Sequence, residues 1–414
     1  MTAPTRIYLD HAAATPLSPA AASAIRAAED VHFGNPGALH AEGLQARAAL
    51  ETSRDQIAGA LGVHGDEIVL TSGGTESVNL ALRGALTAWR EALGSDARPH
   101  IIVSEIEHPA VLETARSLER EGARLSVLAI GADGVVAPDA LAAALSPETV
   151  LVSLMYANNE AGMIQPIREY ARVIRKWKKD HYHLDRSRPE SLSERYPLLH
   201  TDACQAAGYL ELDLRALGVD LLTLNAAKIG GPKGIGALFI RRGVPVAAVS
   251  TGGGQEGGRR SGTEAVPLVA GFAAALLEAR GIAEEESLRL AGLRDRMEQE
   301  ILARIPGASV NGAEAPRVPH ILNVTIPDAD HEMLVIALDR SGVACSTKSA
   351  CSEREGDVSH VITALRRAHE SAVVPEGLRF SLGRTTREED VLSAAAMLED
   401  CVKRFVEPVK GLVS

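Results

Sequence analysis

The chain has 414 residues, 46% of them hydrophobic, and a formal charge of −11 at neutral pH. That length suits one large and one small domain with substantial cores, and the acidic balance argues against a general binder of nucleic acid or anionic membrane. Aromatic residues make up 3% and the four cysteines include no C-x-x-C pair, so Ala and Leu must do most of the packing and no disulfide framework is expected.

The start, Met1 to Arg6, lacks the apolar core of a signal peptide. No uncharged apolar run, 265–277 included, reaches membrane-spanning length. A soluble, cytoplasmic enzyme without a membrane or nucleic-acid partner is the expectation.

In chain order, Ile7 to Pro16 reads as a short extended segment and a turn into an alanine-rich helix over about 18–30. Phe33-Gly34-Asn35-Pro36-Gly37 is a loop before a second helix. The β-branched run at 67–71 meets Gly73-Gly74-Thr75, and a helix follows from near Glu76. A helix start of this kind offers unpaired N–H groups and a positive dipole end to an anion such as phosphate, although many such turns only cap a helix.

Ile101 to Val111 reads as strand, loop and helix, with His108 at the strand's end and Pro109 at the first helical position. Strands are expected at 125–130 and 149–155, the second running into Asn158-Asn159-Glu160. An amphipathic helix carrying Trp177 then leads into a polar stretch at 180–196. His181 and His183 there have no fixed geometry for a metal, so no metal site is assigned.

Asp202 ends the next apolar run, and Leu221–Leu224 reads as a buried strand of a parallel sheet. Lys228 follows in a stretch dense with glycine, just past the strand end, where open α/β sheets bind ligands. An aspartate, a strand and a lysine in that order suit pyridoxal 5′-phosphate. The carboxylate keeps the pyridine nitrogen protonated, and the lysine carries the aldehyde as an imine.

Beyond it lie a glycine-rich loop at 250–264, helical sequence over 265–304, a strand at 319–326, a helix at 330–341 and a strand at 342–346. A polar segment holding Cys351 comes next, and then a strand from Leu378 to Arg384. Cys345 closes an apolar strand, where cysteine packs as a small hydrophobe. Cys351 has Lys348 and Arg354 as neighbours in sequence, surroundings that favour a thiolate.

These words, in this order from Tyr8 to about Asp390, resemble the cysteine desulfurases of the class V aminotransferase family, pyridoxal-phosphate enzymes of fold type I. The resemblance implies an α/β fold: a large domain (15–264) with a mainly parallel seven-stranded sheet flanked by helices, and a smaller α/β domain (1–14 and 265–414) carrying the catalytic cysteine. It implies cofactor contacts from Gly74, Thr75, His108, Asp202, Gln205, Asn225 and Lys228, with Thr263 reaching the phosphate of the neighbouring subunit in a homodimer. Asn159, Arg379 and Asn35 would meet the substrate, L-cysteine; Lys228, His108 and Cys351 would carry catalysis.

Cys351 would take the substrate's sulfur as a persulfide, release alanine and pass the sulfur to an acceptor such as an iron–sulfur scaffold or a tRNA-thiolation partner. Two departures stand out. Asn225 and Ala227 occupy places where many desulfurases have serine and histidine, and Lys348 replaces a glycine. A selenocysteine lyase or cysteine β-lyase of the same fold is the nearest alternative, and a non-catalytic sulfur-assembly scaffold is one of another class.

Overall fold

The computed structural model describes residues 6–93, 98–182, 195–347, 358–369 and 376–405. The 183–194 part of the polar stretch, and Cys351 with its neighbours at 348–357, lie outside the described residues.

The elements run β1 (Ile7–Tyr8), α1 (Pro19–Val31), α2 (Ala41–Ala60), β2 (Ile68–Thr71), α3 (Gly74–Leu93), β3 (His100–Ser104), α4 (Pro109–Arg120), β4 (Arg124–Leu128), α5 (Pro138–Ala144), β5 (Thr149–Ser153) and α6 (Ile167–Tyr182). Then come β6 (Leu198–Asp202), α7 (Leu214–Leu217), β7 (Leu221–Asn225), β8 (Gly236–Ile240), α8 (Val266–Gly281), α9 (Ala283–Arg304), β9 (Ser309–Val310) and β10 (Ile321–Thr325). The last are α10 (His331–Arg340), β11 (Val343–Ala344), α11 (His360–Ala368), β12 (Leu378–Ser381) and α12 (Glu388–Phe405).

Seven strands form the central sheet in the order β2-β8-β7-β6-β5-β3-β4. The β7 run is parallel to β6, as its apolar pattern suggests, but antiparallel to β8 on its other side. β8, which also pairs antiparallel with the edge strand β2, is a strand the sequence reading did not assign. Side chains alternate across the sheet. Ile102, Val152, Leu199 and Leu222 face a core shared with α2, α6 and α8, whereas Ile101, Val103, Leu151 and Leu221 face one shared with α3 and α4.

A second unit forms around the antiparallel β12-β10-β9 sheet. Its core takes Leu290, Met297 and Ile301 from α9, Leu322 and Val324 from β10, Phe380 from β12, and Leu398 from α12. The strand expected at 342–346 shrinks to β11, which pairs parallel with β1 in a two-stranded sheet of its own. Phe272 and Leu276 of α8 are buried in the first core, so the chain changes cores at the α8–α9 junction. Among the described residues no single helix is long and apolar enough to cross a membrane.

Two buried histidines tie the sheet together sideways. His200 on β6 bridges Ser153 of β5 (2.7 Å) and Thr223 of β7 (3.0 Å). His100 on β3 bridges Thr149 of β5 and Ser126 of β4, both at 2.9 Å. Burial holds the pKa of each down to about 4, so both are neutral at neutral pH.

An unfolded histidine titrates near 6.5, so the unfolded chain binds more protons between the two values and stability is lost as pH falls through that window. The melting temperature should therefore hold above pH 6.5 and decline from there toward pH 4. A melting temperature that stays level from pH 7 to pH 5 would contradict this account of the two ladders.

Candidate active site

The carboxyl ends of the parallel strands open into a cavity lined from β6, β7, α3 and β12, where open α/β sheets bind ligands. Each strand end delivers one group. β6 ends on Asp202, β7 ends on Asn225, and one short turn later Lys228 enters from the same side. The β6–β7 pairing sets Asp202 opposite Thr223, so the carboxylate and the lysine come from adjacent strands.

The N-terminal segment crosses above them. Lys228 Nζ donates to the carbonyls of Ala12 (2.9 Å) and Ala13 (2.5 Å). Gln205 Nε2 donates to the Ala12 carbonyl at 2.9 Å and its oxygen faces His320 Nε2 at 3.3 Å. The Asp202 carboxylate accepts the Cys204 N–H at 2.9 Å, which sets its plane.

His108 caps α4: its Nδ1 accepts the N–H of Ala110 at 3.1 Å, with Pro109 at the first helical position. Burial lowers its pKa while Asp202 pulls it up, and Lys228 adds to the lowering. The ring is therefore neutral at neutral pH. With Nδ1 accepting, its proton sits on Nε2.

Beneath His108, the Glu107 carboxyl accepts from the Ser104 hydroxyl (2.6 Å) and the Met155 N–H (2.8 Å), joining the ends of β3 and β5. Burial pushes its pKa up to about 8. His360, at the start of α11, donates to the Glu107 carbonyl at 2.9 Å.

The other end of the cavity is shaped for an anion. Gly73, with φ of +149°, lets the chain turn sharply from β2 into α3. A side chain on Gly236 would lie 2.8 Å from the Gly73 Cα, so the bare β8 backbone lets this turn sit low. Gly74 and Thr75 then begin α3 in the cavity wall. Asn225 accepts the Ala227 N–H through Oδ1 (3.1 Å), leaving its amide nitrogen on the side of Gly73 and Gly74.

Arg379 is only 1% exposed. It reaches the cavity from β12 in the second unit, donating to Asp10 Oδ1 (2.8 Å) and to the Asn159 carbonyl (2.9 Å). Each Nη therefore holds one acceptor, and the residue lines the cavity wall.

Nine of the residues singled out in the sequence therefore line one cavity: Gly74, Thr75, His108, Asn159, Asp202, Gln205, Asn225, Lys228 and Arg379. Asn35 and Thr263 do not line it. Asn35 closes its own turn by accepting the Gly37 N–H at 2.8 Å, and Thr263 is exposed on the surface. Cys351 lies outside the described residues.

Sequence reasoning missed Cys204 as a wall of the cavity; the resemblance implied that the N-terminal segment roofs the site, but not that its Ala12 and Ala13 carbonyls would be the groups meeting Lys228. Backbone acceptors leave no mark in residue type. Cys204 had only its position beside Asp202 as a signal.

The thiols separate clearly. Burial pushes Cys345 up to about 12 and raises Cys204 well above its usual value. Neither forms a thiolate at neutral pH. Iodoacetamide at pH 8 should leave Cys345 unmodified in the folded protein and label it after denaturation, as read by peptide mass spectrometry. Fast labelling of folded Cys345 would reopen it as a sulfur carrier.

The family model described as Aminotransferase class-V matches residues 7–188 and 190–393. A cysteine desulfurase IscS of Dictyoglomus turgidum is 38% identical, over 98% of this chain and 97% of that protein. An IscS-like cysteine desulfurase of Mycobacterium tuberculosis is 40% identical, over 96% of each. Among solved structures, a NifS-like protein superposes with a TM-score of 0.84 at 30% identity, covering 97% of this chain and 100% of the other. SspA in complex with cysteine gives a TM-score of 0.74 at 30% identity over 91% of this chain and 99% of that one.

Proposed function

The chain belongs to the class-V aminotransferase family, and from that premise we propose that it is a cysteine desulfurase. It converts L-cysteine to L-alanine and carries the sulfur on Cys351. The observation behind this reading is the meeting of Lys228, Asp202, His108 and Arg379 in one cavity whose far end is a helix N-terminus.

The residues present fit pyridoxal 5′-phosphate. Lys228 would hold its aldehyde, Asp202 its ring nitrogen and the His108 ring one face, with Gln205 beside the phenolic oxygen. The N–H groups of Gly74 and Thr75, the Thr75 hydroxyl and the Asn225 amide supply donors for its phosphate. When bound, this cofactor supplies an electron sink at the substrate's α-carbon.

The chain's own groups do the rest. Arg379, oriented by Asp10 and the Asn159 carbonyl, grips the substrate carboxylate, which a planar guanidinium does better than an ammonium. Lys228 Nζ moves the proton at the α-carbon. Neutral His108, protonated on Nε2, donates toward the substrate side. The Cys351 thiolate attacks the substrate sulfur: an S–S bond forms as the Cβ–S bond breaks, the electron pair stays with the carbon fragment, and protonation there yields alanine.

The enzyme acts in the cytoplasm as a homodimer, with Thr263 completing the partner's phosphate site and Asn35 near its substrate. In support, Val31, Phe33, Leu39 and Leu44 around Asn35 are 54%, 75%, 85% and 49% exposed, an apolar surface that a second copy would cover. The sulfur then passes to an acceptor protein such as an iron–sulfur scaffold.

Cysteine added to the purified holoenzyme should yield alanine and place one extra sulfur on the Cys351 peptide, separated from Cys345 by cleavage after Lys348. Lys228→Ala should lose cofactor absorption and turnover, and Cys351→Ser should lose the persulfide and most alanine formation. Undiminished sulfide release by Cys351→Ser would instead mark a β-lyase.

Asn225 gives the phosphate an amide where many relatives of this type offer serine, and Ala227 offers nothing. A hydrogen bond to a charged group contributes on the order of 1.5–3 kcal/mol. Asn225→Ser with Ala227→His should therefore slow cofactor loss on dialysis. Unchanged or faster loss would mean that the Asn225 amide already saturates the phosphate.

A further inference from the structure

Residues 250–262 form a loop closed at its base, where the Ser261 N–H donates to the Ser250 carbonyl at 3.3 Å. It is pinned to the body of the protein by one buried carboxylate. Glu256 sits at φ of +52°, a left-handed conformation uncommon outside glycine. Its two oxygens accept from the two Nη atoms of Arg54 at 2.7 and 2.8 Å, and the same carboxylate accepts the Leu70 N–H at 2.8 Å. Arg54 also donates to the Ile68 carbonyl at 2.9 Å.

β2 is an edge strand of the central sheet. The Arg54–Glu256 pair therefore stands where a neighbouring strand would, satisfying the outward groups of Ile68 and Leu70. A second tie lies close by. Arg260 pairs with Glu76 at 2.9 Å, and Glu76 accepts the Ser72 N–H in the turn leading to Gly74 and Thr75.

A buried ion pair adds little net stability over a well-packed apolar pair, so stability alone does not account for a charged pair at this point. What a two-pronged guanidinium–carboxylate contact does supply is orientation. We infer that Arg54 and Glu256 are positioning residues for the cofactor phosphate. They lock the loop leading into Thr263 to the strand that feeds the Gly73–Thr75 turn, so that one chain's phosphate turn and its contribution to the partner's site are set together. This rests on the reading that the phosphate lies against Thr75 and the partner subunit's Thr263.

The test uses the holoenzyme dimer and the double variant Arg54→Met with Glu256→Gln, which leaves no unpaired buried charge and keeps an acceptor for the Leu70 N–H. The readouts are the half-time of cofactor loss by absorbance, the circular dichroism spectrum and the dimer mass. The double variant should remain folded and dimeric yet lose cofactor on the order of tenfold faster, as should Thr263→Ala, the scale of one hydrogen bond to a charged group.

Adding Thr263→Ala to the double variant should bring little further loss, because the double variant already releases the loop that presents Thr263. Should the double variant not fold, Arg54→Lys, which keeps the charge and loses the two-pronged grip, is read in the same way. Cofactor loss in Thr263→Ala with normal retention in the double variant, or losses that multiply independently, overturn the inference alone. Normal retention in Thr263→Ala overturns the phosphate reading and the inference with it.

Discussion

The site depends on a crossing of backbone over side chain. The N-terminal segment turns its Ala12 and Ala13 carbonyls down onto the Lys228 ammonium, while Asp10, two residues earlier, neutralises Arg379 from the other unit. These contacts join the core of the seven-stranded sheet to the core built on β10 and β12. They also hold the lysine and the arginine on facing walls of one cavity. A lysine among carbonyls is well solvated by the protein and stays within reach of whatever enters.

Polar side chains are also buried inside the sheet beside the site. His100 and His200 are each satisfied on both ring nitrogens by hydroxyls of flanking strands, and Glu107 is held by a hydroxyl and a backbone N–H. Buried polar groups with partners orient their neighbours rather than merely adding stability. In this cavity the oriented groups are Asp202, two residues beyond His200, and His108, next to Glu107. The groups lining the cavity therefore rest on a polar layer inside the sheet.

The two departures from the desulfurase pattern acquire physical content in the structure. Asn225 does more than stand in for serine: it caps the turn that carries Lys228 through its oxygen and turns its nitrogen toward the glycines of α3. Ala227 is buried, and its carbonyl accepts from the Thr15 hydroxyl at 2.9 Å. Position 227 thus helps to stitch the N-terminal turn in place through its backbone, whatever side chain it bears.

Residue type and order were enough to single out the strand-end aspartate and lysine and the glycine turn into a helix, which sit where local patterns end. The histidine before a proline and the arginine on the last strand were singled out through the resemblance to the desulfurases. Other features were not legible. The pairing of β11 with β1, the Ala12 and Ala13 carbonyls over Lys228, and the Arg54–Glu256 tie join residues far apart in the chain. A carbonyl acceptor or an ion pair across 202 residues leaves no local trace, whereas β8 follows β7 after the short 226–235 connection, which suits an antiparallel pair. The chemical groups were written in the sequence; the distances between them were decided by packing.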